Sequence, residues 1–228
     1  MVPRTERRDV DIPFAEGTLR GTLTLPPGSS GLVTFAHGSG SGRHSPRNQY
    51  VAKVLNDAGL ATLLMDLLTE NEERIDAVTA HLRFDIELLA DRLRAAAEWA
   101  RGARETSGLP LGLFGASTGA AAALQLAGRS PDDVEAVVSR GGRPDLAMEW
   151  LPRVTAATLL IVGGDDRPVI PLNQQAYDAL SAERELVIVP GATHLFAERG
   201  ALEEVARLAA DWFARHLSAA NRAARGSA

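Results

Sequence analysis

Short apolar runs alternate with longer amphipathic stretches along most of the 228 residues. Short continuous apolar runs bounded by Gly, Pro or Asp are typical of strands that are buried on both faces of a sheet. The opening of the chain differs, because Thr22 and Thr24 alternate with leucines, as in a strand with one face on the core. The pattern predicts strands at 9–14, 18–25, 32–36, 61–65, 111–114, 134–138, 158–162 and 185–189.

The stretches between the later strands carry apolar residues at helical spacing, as at Tyr50, Val51, Val54 and Leu55. Strands that alternate with helices predict a three-layer α/β/α sandwich around a mostly parallel sheet of about eight strands. The opening hairpin adds an antiparallel edge. We expect a single α/β domain over 1–217 and a flexible tail over 218–228. Helices are predicted at 50–58, 82–101, 120–127, 171–180 and 202–217, with a loop and a short helix at 66–80.

Composition narrows the classes of function. Hydrophobic residues make up 45% of the chain and charged residues 23%, as in ordinary soluble domains. The net charge of −5 and the lack of a basic, aromatic-rich stretch argue against a nucleic-acid partner. With no cysteine, the chain has no disulfide and no thiolate metal site. No signal segment or membrane-length apolar run is recognisable, so we expect a cytoplasmic protein without a membrane partner. Metal-ligand spacing is also missing, and we expect neither metal nor cofactor.

The pentapeptide Gly115-Ala116-Ser117-Thr118-Gly119 lies between an apolar run and an alanine-rich helical run. This is the sequence form of a nucleophile elbow, a sharp strand-to-helix turn that holds a serine hydroxyl at the edge of a sheet. A Gly-x-Ser-x-Gly string alone is prone to chance, but its position between a strand and a helix favours the functional interpretation. The motif predicts acyl transfer through a covalent serine intermediate.

Two further polar groups follow later strands in the order that a serine triad requires. Asp165 and Asp166 follow the strand at 158–162, and His194 follows the strand at 185–189. The carboxyl ends of parallel strands meet at one edge of the sheet, where ligands bind. A serine needs an imidazole to accept its proton, and the imidazole needs a carboxylate to orient it. We therefore expect Ser117, one of the two aspartates and His194 to lie together as nucleophile, acid and base.

These motifs resemble those of the α/β-hydrolase superfamily, and within it the dienelactone-hydrolase-like branch. The resemblance covers nearly the whole chain and includes 35–39, 115–119, 160–166 and 191–194. It implies Asp166 as the triad acid, with Asp165 as the second choice, and an oxyanion hole made by the backbone N–H groups of Ser39 and Thr118. Dienelactone hydrolases themselves carry a cysteine in the elbow, where this chain has Ser117. The resemblance therefore implies a small-molecule carboxylic ester as substrate, cleaved by an esterase mechanism, but not the dienelactone itself.

Basic side chains lie near the predicted site. Arg43 and His44 belong to the loop after residues 32–36, and Arg140 follows the strand next to the elbow. We hypothesise that some of them bind an anionic or strongly polar group of the substrate. The alternative is that Arg140 pairs with a structural carboxylate such as Asp66 or Asp166.

Two other functions have some support in the sequence. A glycine-rich loop after residues 32–36 and an acid at Asp66 have the outline of a dinucleotide site, but the glycine spacing fails because Arg43 or Ser45 stands at the third position. A non-catalytic ligand receptor or pseudoenzyme on the same fold is the stronger alternative.

Overall fold

The computed structural model describes residues 4–217. It contains one eight-stranded sheet in the order β1-β2-β4-β3-β5-β6-β7-β8. β1 pairs with β2, and β2 with β4, in antiparallel fashion, while the remaining neighbours are parallel. This confirms the predicted fold class; the predicted tail at 218–228 lies outside the described residues. The strands are β1 Glu6–Phe14, β2 Gly17–Leu25, β3 Leu32–Ala36, β4 Ala61–Met65, β5 Leu111–Ala116, β6 Ala136–Arg140, β7 Ala157–Gly163 and β8 Arg184–Val189.

Helices cover both faces of the sheet. One apolar cluster packs the helices at 86–102 and 118–129 against the sheet, and its members include Leu93 and Leu124. The cluster on the opposite face includes Leu55 and Phe213, from the first and last helices. Because both faces are covered, every residue of β3, β4, β6 and β7 is buried, which explains their unbroken apolar runs. The helices are α1 Pro46–Asp57, α2 Glu70–Thr79, α3 Ile86–Gly102, α4 Thr118–Arg129, α5 Ile170–Ala179 and α6 Ala201–His216.

The alanine-rich helix α4 is buried along almost its whole length, from Thr118 to Gly128. Its small side chains let it pack closely against the sheet and against α3. At its far end, a Cβ on Gly128 would collide with the backbone of Trp150. The helix that follows the predicted nucleophile is therefore fixed from several sides.

Several predicted boundaries differ from the structure, among them the starts of β1, at Glu6, and of α1, at Pro46. The long helix begins at Ile86 rather than residue 82, because the Asp85 side chain caps it by accepting a hydrogen bond from the Leu88 N–H at 3.0 Å. The sixth strand begins at Ala136 rather than residue 134 and includes Arg140, because its pairing with β5 runs from Gly112↔Ala136 to Ala116↔Arg140. The acidic segment is helical over Glu70–Thr79, since Thr69 and Glu72 form a complete capping box.

Candidate active site

Ser117 occupies a strained turn between β5 and α4. Its backbone angles are φ 52° and ψ −121°, a conformation that a residue with a side chain rarely adopts. Backbone hydrogen bonds hold it there: the Ser117 N–H donates to the Arg140 carbonyl at 3.2 Å, and the Ser117 carbonyl accepts from the Arg143 N–H at 3.1 Å. The loop after β6 therefore fixes the serine on both sides.

The two glycines of the pentapeptide are required by close packing. A Cβ on Gly115 would lie well inside van der Waals contact of the Ala120 backbone, on the first turn of α4. A Cβ on Gly119 would meet the carbonyl oxygens of Ala36 and His37 at the end of β3. The Gly-x-Ser-x-Gly spacing thus allows α4 to start directly against the neighbouring strand, as the elbow interpretation requires.

His194 and Asp166 form a hydrogen-bonded pair. The His194 Nδ1 lies 2.7 Å from the Asp166 Oδ2, and the carboxylate is largely buried while the imidazole is partly exposed. Asp166 sits in a tight turn after β7, where its N–H donates to the Gly163 carbonyl at 3.0 Å. Asp165 has an exposed side chain, and its N–H donates to the Ala192 carbonyl at 2.9 Å. The acid loop and the histidine loop are therefore joined by backbone as well as side chain.

The histidine loop also packs beside the serine turn. A Cβ built on Gly141, the residue after Arg140, would lie 3.1 Å from the His194 carbonyl oxygen and 3.5 Å from its Nδ1. Arg140 is the residue whose carbonyl accepts the Ser117 N–H. Within residues 4–217, the Ser117 hydroxyl makes no hydrogen bond to His194; bonds of this kind often form only when substrate closes the site.

The loop after β3 lies over the nucleophile on its other side. A Cβ on Gly38 would be 3.1 Å from the Ser117 Cβ, and the Ser39 and Thr118 hydroxyls are 3.2 Å apart. The Thr118 N–H belongs to the first turn of α4, where N–H groups lack an intrahelical acceptor. Ser39 and Thr118, the two residues expected to supply the N–H groups of an oxyanion hole, thus lie close to each other beside Ser117.

His37 anchors this loop. Its Nε2 accepts a hydrogen bond from the Leu67 N–H at 2.9 Å, and its Nδ1 donates to the Gly38 carbonyl at 3.0 Å. Burial lowers the pKa of His37, only partly opposed by the Gly38 hydrogen bond and by Asp66. The ring is therefore neutral and connects the end of β3 with the end of β4.

The basic residues of the sequence hypothesis have different surroundings. Arg43 forms an ion pair with Asp66, which also accepts the Arg43 N–H at 2.7 Å. His44 is exposed. Arg140 is buried, and the alternative that it pairs with Asp66 or Asp166 is wrong, because these carboxylates contact Arg43 and His194 instead.

A cavity of about 790 Å³ opens beside the loop that follows β3. It reaches Ser39 and Thr118, whereas Ser117, Asp166 and His194 lie outside its lining. Sequence reasoning missed the part of the wall formed by α2, where Glu73 faces the cavity and burial, with Asp66 nearby, raises the pKa of Glu73. The sequence signal that could have predicted this helix is the capping box formed by Thr69 and Glu72.

Asp76 and Arg83 extend the same wall. The Arg83 Nε lies 2.5 Å from the Asp76 Oδ2, and the Arg83 N–H donates to the Asp76 Oδ1 at 3.1 Å. This pair ties α2 to the turn before α3. Over the described part of the chain there is no group of three or more His, Asp or Glu side chains that could hold a metal ion, and no helix long and apolar enough to cross a membrane.

Comparison with known proteins agrees with this geometry. The profile of the dienelactone hydrolase family matches residues 31–223. A dienelactone hydrolase from Anabaena variabilis, known from its crystal structure, is 56% identical; the match covers 93% of this chain and 99% of that one, with a TM-score of 0.92. Est1E from Butyrivibrio proteoclasticus has the same fold at 15% identity, with a TM-score of 0.77 over 91% of this chain and 98% of its own.

A curated relative is longer. A Mycobacterium tuberculosis protein provisionally named a phosphoribosyl transferase is 55% identical over 212 residues, which cover 92% of this chain but 47% of that protein. The chain therefore spans about half the length of this curated relative.

Proposed function

Because the chain belongs to the dienelactone hydrolase family, we propose that it is a serine hydrolase that cleaves a carboxylic ester of a small molecule through an acyl-enzyme intermediate. The observation that carries the proposal is the arrangement of Ser117 in its strained turn next to the hydrogen-bonded pair of His194 and Asp166. Serine in the place of cysteine favours ordinary ester hydrolysis over the chemistry that gives the family its name.

In the proposed mechanism, Ser117 attacks the ester carbonyl while His194 takes its proton. The Ser39 and Thr118 N–H groups stabilise the oxyanion of the tetrahedral intermediate. His194 then protonates the leaving alcohol, which leaves the acyl group on Ser117. The same imidazole activates a water molecule that releases the acid. Asp166 fixes the tautomer of His194 and stabilises the positive charge that the imidazole acquires in both steps.

The cavity beside Ser39 and Thr118 has a charged part that favours a polar group on the substrate, and an apolar part formed by residues such as Leu67, Leu68 and Leu89. Its wall includes the Arg43–Asp66 and Asp76–Arg83 ion pairs together with Glu73. Hydrocarbon placed against these groups would desolvate them without replacing their hydrogen bonds with water. Hydrolysis of esters that carry a polar group is therefore proposed.

Two other activities have less support. The transferase name belongs to a Mycobacterium tuberculosis protein about half of which this chain matches, and the site described above has the groups for acyl transfer. A non-catalytic receptor would need none of the strain at Ser117, which costs about 1–3 kcal/mol.

The proposal is tested by covalent labelling with a fluorophosphonate, which reacts with activated serines. We expect one adduct per chain by intact mass, located on Ser117 by peptide mapping. Ser117→Ala should abolish both the adduct and the hydrolysis of p-nitrophenyl acetate. Ser130→Ala, at the other end of α4, is the matched control and should keep both. A folded wild-type chain that acquires no adduct would refute the mechanism and leave the receptor alternative.

A further inference from the structure

Three arginines near the site have buried N–H donors with no acceptor, and one of them, Arg43, is nonetheless paired with Asp66. Arg140, the last residue of β6, is only 7% exposed, and its Nε and Nη1 have no hydrogen-bond partner among the described residues. The Nε of Arg47, in the first turn of α1, is also buried and has no hydrogen-bond partner among the described residues. A buried guanidinium without an acceptor is costly, because the lost hydration is not replaced. Native proteins rarely leave such donors without a function.

The surrounding charge is positive and uncompensated. The nearby carboxylates already have partners: Asp66 contacts Arg43, Asp166 contacts His194, and Asp145 contacts Arg143. Burial, and then the charge of Arg47, lower the pKa of Arg140 to about 10, so that the side chain is still cationic at neutral pH. The buried Arg140 thus lies within range of the charge of Arg47, which is itself partly exposed.

The location connects the arginines to the proposed chemistry. The Arg140 carbonyl accepts the Ser117 N–H, and the Arg140 guanidinium lies 6.0 Å from the ring centre of Phe196, two residues after His194. Arg47 lines the cavity that reaches Ser39 and Thr118. A ligand bound to both guanidinium groups would therefore lie between the cavity and the nucleophile.

We propose that Arg47 and Arg140 form a subsite for a phosphate monoester group carried by the ester substrate. Arg140 presents Nε and Nη1, and Arg47 presents Nε, as buried nitrogens without an acceptor, so both side chains can donate hydrogen bonds to the terminal oxygens of that group. Its charge of about −2 near neutral pH neutralises both guanidinium groups, whereas a carboxylate supplies one charge and two oxygens. The inference rests on the proposed function, since it names the class of ester that Ser117 would cleave.

Inorganic phosphate is the probe for this subsite, measured by isothermal titration calorimetry on the full chain, with acetate as the carboxylate comparison. We expect one phosphate per chain, and at least about tenfold weaker binding in Arg140→Met and in Arg47→Met, because each removes a charge-assisted donor set. Arg143→Met, which changes a nearby arginine already paired with Asp145, is the matched control and should bind phosphate as the wild type does. Arg47 is partly exposed, so its variant remains informative if Arg140→Met does not fold.

The second measurement compares kcat/KM for p-nitrophenyl 4-phosphooxybutanoate and its 4-methoxy analogue. The wild type should prefer the phosphorylated ester, and the preference should fall at least about tenfold in Arg47→Met. Absence of phosphate binding, equal binding of acetate, or binding that survives both arginine changes would overturn the inference, even if neutral esters are hydrolysed. Phosphate binding that depends on both arginines, in a chain that hydrolyses no ester, would instead remove the proposed function and leave only an anion site.

Discussion

The two adjacent carboxylates after β7 have different neighbours, and this difference makes a sharp test of the mechanism. Asp166 lies 2.7 Å from the His194 Nδ1, whereas the Asp165 side chain is exposed. Asp166→Asn should lower kcat on p-nitrophenyl acetate by about 10⁴-fold, because an amide would favour the wrong imidazole tautomer. Asp165→Asn is the matched control, and its kcat should stay close to that of the wild type. The reverse result, with both variants folded by circular dichroism, would assign the acid to Asp165.

At the scale of single residues, the sequence indicated which types of residue lie near the site better than it indicated which side chains pair with each other. Strand order was enough to predict that His194 pairs with one of the two aspartates, because parallel strands have their carboxyl ends at one edge of the sheet. The Gly-x-Ser-x-Gly spacing predicts Ser117 at the same edge. The partner of Arg140 could not be predicted in the same way. Asp66 pairs with Arg43 instead, and this pairing depends on how the loop after β3 folds back over the end of β4.

At the scale of elements, His37 couples two strand ends, and this coupling should make stability depend on pH. Burial lowers the pKa of His37 in the folded protein. Its contribution is therefore complete above the ordinary histidine pKa of about 6.5 and is lost as the pH falls below that value towards the lowered one. The free energy of unfolding should rise with pH through this window. Urea titrations at several pH values measure the slope.

His37→Gln should flatten that slope, because glutamine does not titrate and its side-chain oxygen can still accept the Leu67 N–H. His81→Gln changes an exposed histidine before α3 and controls for the loss of a histidine as such. An unchanged slope in His37→Gln would show that other groups cause the pH dependence.

Element types were predictable, and element boundaries were less so, for a physical reason. Apolar runs marked β3 and β4 closely, because those strands are buried along their whole length. The start of α3 was set instead by the Asp85 cap, and that of β6 by its register with β5. The helix α2 was the least predictable element: it is largely solvent-exposed, so its sequence lacks an apolar stripe, although its capping box was readable.

At the scale of the whole molecule, two apolar clusters lie on opposite faces of one sheet. Both clusters contain side chains from the same central strands, so loss of packing on one face of the sheet also weakens packing on the other face. The chain should therefore unfold in one cooperative transition. Tryptophans report on both sides, since Trp99 packs against the cluster that includes Leu93, and Trp212 belongs to the cluster that includes Phe213.

Phe213→Ala tests this coupling. The ring is fully buried on Gly112 of β5, where even a Cβ would collide with it, so the substitution leaves a cavity beneath the strand that carries the elbow. We expect the free energy of unfolding in urea to fall by about 3–5 kcal/mol. Tryptophan fluorescence and backbone circular dichroism should still give the same midpoint. Val78→Ala, which shortens an exposed apolar side chain on α2, should change stability by less than about 0.5 kcal/mol. Separate midpoints for the two probes in Phe213→Ala would mean that the two faces of the sheet unfold independently.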